Sequence, residues 1–239
     1  MKHTLCVLIL FACCVQGASN LGTVSGSVLD SLGKPIPGQV RVFISMALDT
    51  AAIKTPSPPV QTGPQVTSRF ADEAGQFTVG NLAPGNYVAC ASTSTPGYLD
   101  PCQWSTAGFA FIVTAGQITS GVKLILQRGA IIPVRINDLA QTKMLVDQNG
   151  PHDPDLQIHA VTASGRHILA AITGQDRSGR DNVITVPFST AVRLQVFSKT
   201  SMISESTNKL FAPGGLTVTV PPGGSATPVI LNIVGAKGK

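Results

Sequence analysis

The sequence predicts an all-β protein built from β-sandwiches, with two of them in tandem. Apolar and polar residues alternate with a period of two in many short runs, and no long segment shows the 3.6-residue period of a surface helix. Each run is bounded by Gly, Pro, Asn or Asp, and turn signals between many short strands are typical of sandwiches. Only 12% of the residues are charged, against about 25% in an average globular domain. The runs comprise residues 24–28, 40–44, 77–79, 109–113, 122–126, 158–160, 184–186, 192–196 and 216–220.

The first 17 residues predict a signal peptide. Residues 5–12 form an unbroken apolar run that is too short to cross a bilayer. Val15 and Gly17 then supply the small residues at −3 and −1 of a cleavage site, so we expect cleavage after Gly17. The alternatives are a buried N-terminal strand, or lipid anchoring at Cys13 or Cys14. No later stretch is long and apolar enough for a transmembrane segment, so we expect a secreted or periplasmic protein.

Loss of the leader leaves two of the five cysteines, Cys90 and Cys102. Two cysteines in an exported chain, with eleven residues between them, most simply form a disulfide. In the chain-entropy model, closing this loop contributes about 3 kcal/mol to the stability of the fold. A free pair and a metal site are the other readings, but no histidine or third cysteine lies nearby.

The turns of the first half have explicit chemistry. Residues 30–38 contain two glycines suited to positive φ and two prolines that hold the chain extended between them. Residues 72–75 end on Gly, and Pro84-Gly85 fits the central positions of a type II turn. Tyr87 follows and is placed to donate its hydroxyl to upstream backbone, which is a structural role. Residues 54–65 have three prolines in four positions and predict an exposed, partly polyproline loop within the first domain.

An internal repeat is visible at an offset of 107 residues, and the first strand of each half aligns at 108. Gly116 then meets Gly223 in a shared turn between two alternating runs. We therefore expect one sandwich at residues 23–128 and a second at 129–239. The second half lacks the Pro-Gly-x-Tyr corner, so it would be a diverged copy. Alternating patterns match each other easily, which leaves an unrelated second sandwich open.

The first half resembles the carboxypeptidase regulatory-like, or prealbumin-like, domain family over about residues 23–128. The segments that carry the resemblance are VSGSVLD at 24–30, GKPIPGQV at 33–40, Asp72-x-x-Gly75-x-Phe77, Leu82-x-Pro84-Gly85-x-Tyr87 and VKLIL at 122–126. Their order and spacing are similar to the family's, apart from an insertion at 45–68. The resemblance says little about activity, because the same module accompanies many unrelated domains.

This resemblance implies a Greek-key sandwich of seven strands. Modules of the family accompany secreted peptidases, outer-membrane receptors and surface proteins as folding, docking or adhesive units, and a structurally similar set binds glycans. Related adhesin modules carry a lysine near the end of the first strand for an isopeptide cross-link. That region here reads Val28-Leu29-Asp30, so we do not expect the cross-link.

The amount and distribution of charge argue against nucleic acid as a partner. The chain has 17 Lys and Arg against 12 Asp and Glu, a net charge of +5. The excess is scattered, and no basic run interleaves with aromatic residues. Nucleic-acid binding therefore has little support.

The histidines are the basis of one alternative prediction, a metal site. None has the HxxE or HExxH spacing that places ligands on one helix face. A hairpin would let His159 and His167 face each other, and Asp153 or Asp155 would then complete the site of a metal-dependent hydrolase. Exposed strand and loop histidines are the simpler interpretation. The histidines of the mature chain are His152, His159 and His167.

Other catalytic patterns are absent from the sequence. Residues 147–155 are acidic and rich in turn residues, but they lack the ligand order of a calcium loop. There is no G-x-S-x-G elbow, P-loop or dinucleotide fingerprint. Glu73 and Glu205 are the only glutamates, which makes a paired-carboxylate glycosidase hard to build, although Asp pairs stay open. We expect no enzyme activity and no cofactor.

The loop Tyr98-Leu-Asp100-Pro-Cys102-Gln-Trp104 holds the only Trp and one of the two Tyr. Solvent-facing aromatic rings on a rigid loop stack on sugars, and Asp100 and Gln103 would hydrogen-bond sugar hydroxyls. Alternatively, Trp104 plugs the open end of the sandwich. The sequence thus predicts a secreted, non-catalytic module that docks to a protein or cell-surface component, with binding of a polysaccharide through Trp104 as the alternative.

Overall fold

A computed structural model describes residues 20–47, 62–104, 108–138, 146–147, 150–151, 156–163, 165–176, 178–198, 201–205 and 214–236. The predicted signal peptide lies outside these ranges. The described residues form strands and turns only, so the predicted all-β class is confirmed. The strands are β1 (Gly22–Asp30), β2 (Val40–Ala47), β3 (Thr62–Phe70), β4 (Gln76–Leu82), β5 (Gly85–Thr93), β6 (Phe109–Val113), β7 (Ile118–Leu126), β8 (Ala130–Asn137), β9 (Val146–Asp147), β10 (Gly150–Pro151), β11 (Gln157–Val161), β12 (His167–Leu169), β13 (Ala171–Asp176), β14 (Gly179–Val186), β15 (Val192–Phe197), β16 (Ser201–Glu205), β17 (Leu216–Val218) and β18 (Val229–Ala236).

The first seven strands form a β-sandwich, here called the first unit. A three-stranded sheet of order β4-β1-β7 faces a four-stranded sheet of order β3-β2-β5-β6. Strand β1 is antiparallel to β4 and parallel to β7. Alternate residues of these strands point inward and exclude water, as the period-two pattern predicts. The largest fully buried side chains of this core are Ile44, Leu82, Leu126, Val24, Val28 and Val42.

The turn chemistry of the first unit matches its sequence. The Tyr87 hydroxyl donates to the Ala83 carbonyl oxygen over 2.8 Å, which fixes the corner before β5. Asp30 Oδ1 accepts hydrogen bonds from the backbone nitrogens of Leu32 and Lys34 at 2.8 and 2.9 Å. Gly33, within that turn, has a φ of 75° that a residue with a Cβ rarely adopts.

The proline-rich loop is shorter at its C-terminal end than predicted. The sequence placed residues 54–65 in a loop, whereas β3 already begins at Thr62 and contains Pro64. Strand β3 lies at the edge of its sheet, paired only with β2 among the described strands. An edge strand tolerates proline because the missing N–H can lie on the unpaired side. Residues 54–61 lie outside the described part of the chain.

The remaining strands form a second unit with the same plan. Its five-stranded sheet has the order β13-β14-β8-β18-β16, and its four-stranded sheet has the order β12-β11-β15-β17. Strand β8 is antiparallel to β14 and parallel to β18, as β1 is to β4 and β7. Strands β13 and β16 extend the first sheet at both edges, and β9 pairs with β10 separately. The largest fully buried side chains here are Ile132, Ile136, Ile158, Leu194 and Leu231.

The strand registers of the two units agree in part. Gly26 pairs with Val122 in the first unit, and their equivalents at offsets of 108 and 107, Val134 and Val229, pair in the second. The antiparallel pairing differs by two residues, because Gly26 pairs with Phe77 whereas Val134 pairs with Asn182. Origin by duplication stays a prediction, as do the proposed boundaries.

Candidate functional site

The connection between β5 and β6 forms the junction between the two units. Cys90 in β5 is bonded to Cys102 in this connection, with Cα atoms 5.9 Å apart, so the predicted disulfide is confirmed. The bond holds the connection against the sheet from which it leaves. The loop predicted from the sequence as a binding site is therefore pinned at one end to the first unit.

Asp100 organises the turn that carries Trp104. Its Oδ1 accepts a hydrogen bond of 2.8 Å from the Cys102 backbone nitrogen. Its carbonyl oxygen accepts two more, each of 3.1 Å, from the nitrogens of Gln103 and Trp104. Burial raises the pKa of the Asp100 carboxyl, although the hydrogen bonds from backbone N–H groups oppose this rise. The side chain thus serves the local fold.

Trp104 crosses from the first unit into the second. It is 9% exposed, and together with Leu99 it belongs to the cluster of buried side chains that forms the core of the second unit. Ile168 and Ile184, on two strands of the second unit, line the same cleft as Trp104. The second unit's core is therefore completed by two side chains from the connection of the first.

Tyr98 points the other way. It is 7% exposed and belongs to the buried cluster of the first unit. The guanidinium carbon of Arg128, in the link between the units, lies 4.0 Å from the centre of its ring. Such a contact between a cation and a ring adds to the apolar burial. The two aromatic residues of the loop thus anchor it in opposite cores.

Hydrogen bonds join the units around these anchors. Nη1 of Arg166, in the second unit, donates to the carbonyl oxygen of Cys102 and, over 3.2 Å, to that of Gln103. The Gly97 nitrogen donates to Thr185 Oγ1 over 3.0 Å. Arg166 was not predictable from the sequence, because its partners are backbone carbonyls more than sixty residues away and no motif marks them.

A small groove runs along this junction. Its volume is about 190 Å³, below the roughly 300–1,000 Å³ of sites that enclose drug-sized ligands. All four predicted binding residues line it, with Thr185 of the second unit. Gln103 is exposed, whereas both aromatic rings are buried, so neither presents an open face to solvent. The four are Tyr98, Asp100, Gln103 and Trp104.

The histidine pair lies elsewhere, on the hairpin of β11 and β12. The rings of His159 and His167 meet at 5.6 Å in a T-shaped contact, as the predicted hairpin allows, and Phe197 lies 5.1 Å from His159. His159 Nε2 lies 3.1 Å from Gln157 Oε1. Burial, followed by the charge of His167, lowers the pKa of His159. The three rings of His159, His167 and Phe197 therefore form an aromatic cluster.

No group of three His, Cys, Asp or Glu side chains arranged to hold a metal occurs within the described ranges. The other predicted ligands, His152, Asp153 and Asp155, lie outside those ranges.

A second polar cluster was not foreseen in the sequence. Arg135 donates to both carboxylate oxygens of Asp176 at 2.9 Å and to Asp181 Oδ2 at 3.0 Å. The hydrogen bond from Arg135, and then those from Ser178, lower the pKa of Asp176. Both carboxylates are about half exposed, so this ion pair adds little to stability. It orders the outer face of the five-stranded sheet.

Comparison with known proteins yields likenesses of fold alone. No protein family and no curated protein matches the chain. A streptococcal ancillary pilin is similar with a TM-score of 0.40 and 14% identity, over 90% of this chain and 63% of that one. The minor pilin GBS52 of Streptococcus agalactiae has a TM-score of 0.36 and 12% identity, over 91% and 98%. The shaft pilin SpaA of Lactobacillus rhamnosus GG has a TM-score of 0.34 and 11% identity, over 91% and 100%. Because these TM-scores are low, we draw no functional conclusion from them.

The described part of the chain also contains no helix able to cross a membrane.

Proposed function

We propose that this protein is an exported, non-catalytic docking module in which two β-sandwiches act as one rigid unit. One observation carries the proposal: Trp104 and Leu99 leave the first unit and are buried in the core of the second. A connection that served only to link two strands would not place large apolar side chains in another domain. The junction loop therefore works as a clamp between the units.

An extracellular setting follows from two features. A disulfide persists in oxidising compartments and is rare in the cytosol. The predicted signal peptide points to the same destination. We also propose that the first unit is a carboxypeptidase regulatory-like domain. The Tyr87 corner and the turn at Gly33 support this assignment.

The chemistry of the junction favours docking over catalysis. The Asp100 carboxylate is engaged by backbone N–H, and the Arg166 guanidinium is engaged by two carbonyl oxygens. These groups hold the loop in place and are not arranged around a reacting centre. The partner we propose is a protein or cell-surface component bound on the outer surfaces or edges of the sheets.

Unfolding of a Trp104→Ala variant tests the clamp. The native chain should unfold in one cooperative transition, because Trp104 follows Cys102, which is bonded to the first unit, and is itself buried in the core of the second. Truncation of this buried ring should cost about 3–5 kcal/mol and should separate the unfolding into two transitions by calorimetry. Each unit keeps its own core, so the variant should still fold.

Phe70→Ala is the matched control. Phe70 lies exposed on the edge strand β3, so its loss should lower stability by less than about 1 kcal/mol and keep a single transition. If the Trp104→Ala variant unfolds as the Phe70→Ala variant does, the hypothesis that the junction loop clamps the two units is wrong.

Glycan binding is the second candidate. It is favoured by the groove, which collects the exposed Gln103 amide and the Asp100 carboxylate beside both aromatic residues. The volume suits the end of a glycan chain more than a long stretch. Titration calorimetry against soluble polysaccharides tests it, with Gln103→Ala expected to abolish binding and Gln65→Ala, on exposed β3, expected to retain it. Indifference of the native chain to every polysaccharide would remove this candidate.

A further inference from the structure

Within the described ranges, the outer edge of β7 has no paired strand. Strand β7 pairs with β1 on one side, and among the described strands none pairs with its other side. The single bridge from Tyr98 to Arg128 lies beyond its C-terminal end. An open edge carries a row of backbone N–H and C=O groups without a β partner, which natural proteins usually cover or blunt.

The second unit shows how such an edge is satisfied. Its equivalent strand, β18, is covered on this side by β16, which runs antiparallel to it and pairs Ile203 with Ile233 and Glu205 with Leu231. Strand β16 comes from the connection that follows β15, at the place in the fold where the first unit has the junction loop. In the first unit, the described part of this connection clamps the two units and provides no strand that pairs with β7.

The open edge has apolar side chains beside it. Ile118 is 70% exposed and Ile125 is 43% exposed, although both lie in β7. Gly121 has a φ of 77°, and the pairing with β1 shifts register next to it, so the edge is irregular before Val122. The regular part of the edge is therefore Val122–Leu126. Five residues is also the length of β16.

We propose that this edge pairs with the same edge of a second copy of the chain, antiparallel and centred on Leu124. This inference rests on the proposed docking function and names its surface. The two copies would share a continuous six-stranded sheet about a two-fold axis, and a two-fold axis requires a self-complementary patch.

The sequence of β7 meets that requirement. With Leu124 at the centre, Lys123 lies opposite Ile125 of the other copy, and both point to the outer face of the sheet. Each lysine stem can then cover an exposed isoleucine while its ammonium stays in water. Lys123 is the only charged residue of the strand, so no like charges face each other.

Sedimentation of the mature chain from micromolar to millimolar concentration tests the proposal. We expect a reversible monomer–dimer equilibrium. Ile125→Lys places two lysines opposite each other twice per dimer and should weaken the dimer by at least about tenfold. Lys123→Glu combined with Ile125→Lys places a glutamate opposite each lysine and should restore it. Only the register centred on Leu124 predicts this rescue.

Leu32→Lys is the matched control, because Leu32 is 78% exposed in the turn that follows β1, the strand that pairs with the other edge of β7. It should dimerise as the native chain does. A native chain that stays monomeric at every concentration overturns the proposal, as does equal dimerisation of the Ile125→Lys and Leu32→Lys variants. A monomer that still unfolds in one transition would leave the clamp intact and reject only the dimer.

Discussion

Two properties of Asp100 have opposite effects on the stability of the fold. Its negative charge is destabilised by burial, whereas its Oδ1 accepts a stabilising hydrogen bond. Oδ1 holds the turn through the Cys102 nitrogen, yet burial raises the pKa of the carboxyl above 3.8. An acid whose pKa is higher in the folded state stabilises the fold less as the pH rises from its unfolded pKa through its folded pKa. Stability that is present at acid pH is therefore partly lost near neutrality.

Asp100→Asn should separate these two effects. The amide keeps an oxygen acceptor for the Cys102 nitrogen and removes the ionisation, so we expect equal or greater stability at neutral pH and a weaker pH dependence above 3.8. Asp100→Ala loses the acceptor and should cost about 1–2 kcal/mol. Urea unfolding of both variants across this pH range gives the comparison. Identical behaviour of the two variants would show that the hydrogen bond contributes nothing.

His159 predicts a pH dependence of the second unit with the opposite sign. Its pKa in the folded state is lowered from 6.5 by burial and by His167. A base with a lowered pKa stabilises the fold above its unfolded pKa, and this stability is lost as the pH falls from 6.5 through the folded pKa. His159→Gln should make stability flatter over that interval, as followed by urea unfolding. An unchanged slope would mean that the imidazole titrates as it does in water.

Sequence spacing predicted two local contacts in and near the junction, but it did not predict which core buries Trp104. The pairing of Cys90 with Cys102 and the role of Tyr87 were predictable, because both depend on partners within a few turns of the chain. The burial of Trp104 was left open between two readings. Its surroundings come from residues such as Ile168 and Ile184, which are distant in sequence.

At the scale of elements, several strands with one buried face were predicted, whereas three edge strands with little apolar alternation were not. The predicted strands include the edge strands β4, β6, β7 and β17, and the missed ones are β3, β13 and β16. β13 and β16 contain Gly or Ser and lack a clear alternation, because their exposed edges need no apolar face. β3 was missed because it contains Pro64, which favours a loop in the sequence but is tolerated in an edge strand. A period-two pattern reports burial of one face rather than hydrogen bonding, so it finds strands with one buried face whether they lie at the centre or at the edge of a sheet.

Gly26 in the central strand β1 shows how tightly the three-stranded sheet is built. A Cβ at this position would overlap the Val122 carbonyl of β7, so Gly26→Ala should cost at least about 1–3 kcal/mol. Gly80→Ala in the neighbouring β4 is the control, because its Cβ would meet only Thr23 Oγ1, at 3.5 Å. Thermal unfolding of both variants measures the difference. Equal stabilities would mean that β1 and β7 separate at no cost.

At the scale of the whole molecule, the two units share a strand plan, while the way they are assembled was not visible in the sequence. The contacts that join them span 63, 64 and 88 residues and include backbone groups that carry no sequence signal. The two-residue change in antiparallel register likewise follows from packing rather than from pattern. Sequence thus predicted the parts better than their junction.

The central claim is that the junction holds the two units together until both unfold. Trp104 is the only tryptophan and lies in the junction, so its fluorescence reports the junction alone, whereas far-ultraviolet circular dichroism reports the strands of both units. The most direct measurement follows both signals during denaturant unfolding of the unmodified chain. We expect the two curves to coincide with one midpoint. A shift of the Trp104 emission at lower denaturant, before any strand signal is lost, would contradict the claim by showing that the junction opens while the sandwiches stay folded.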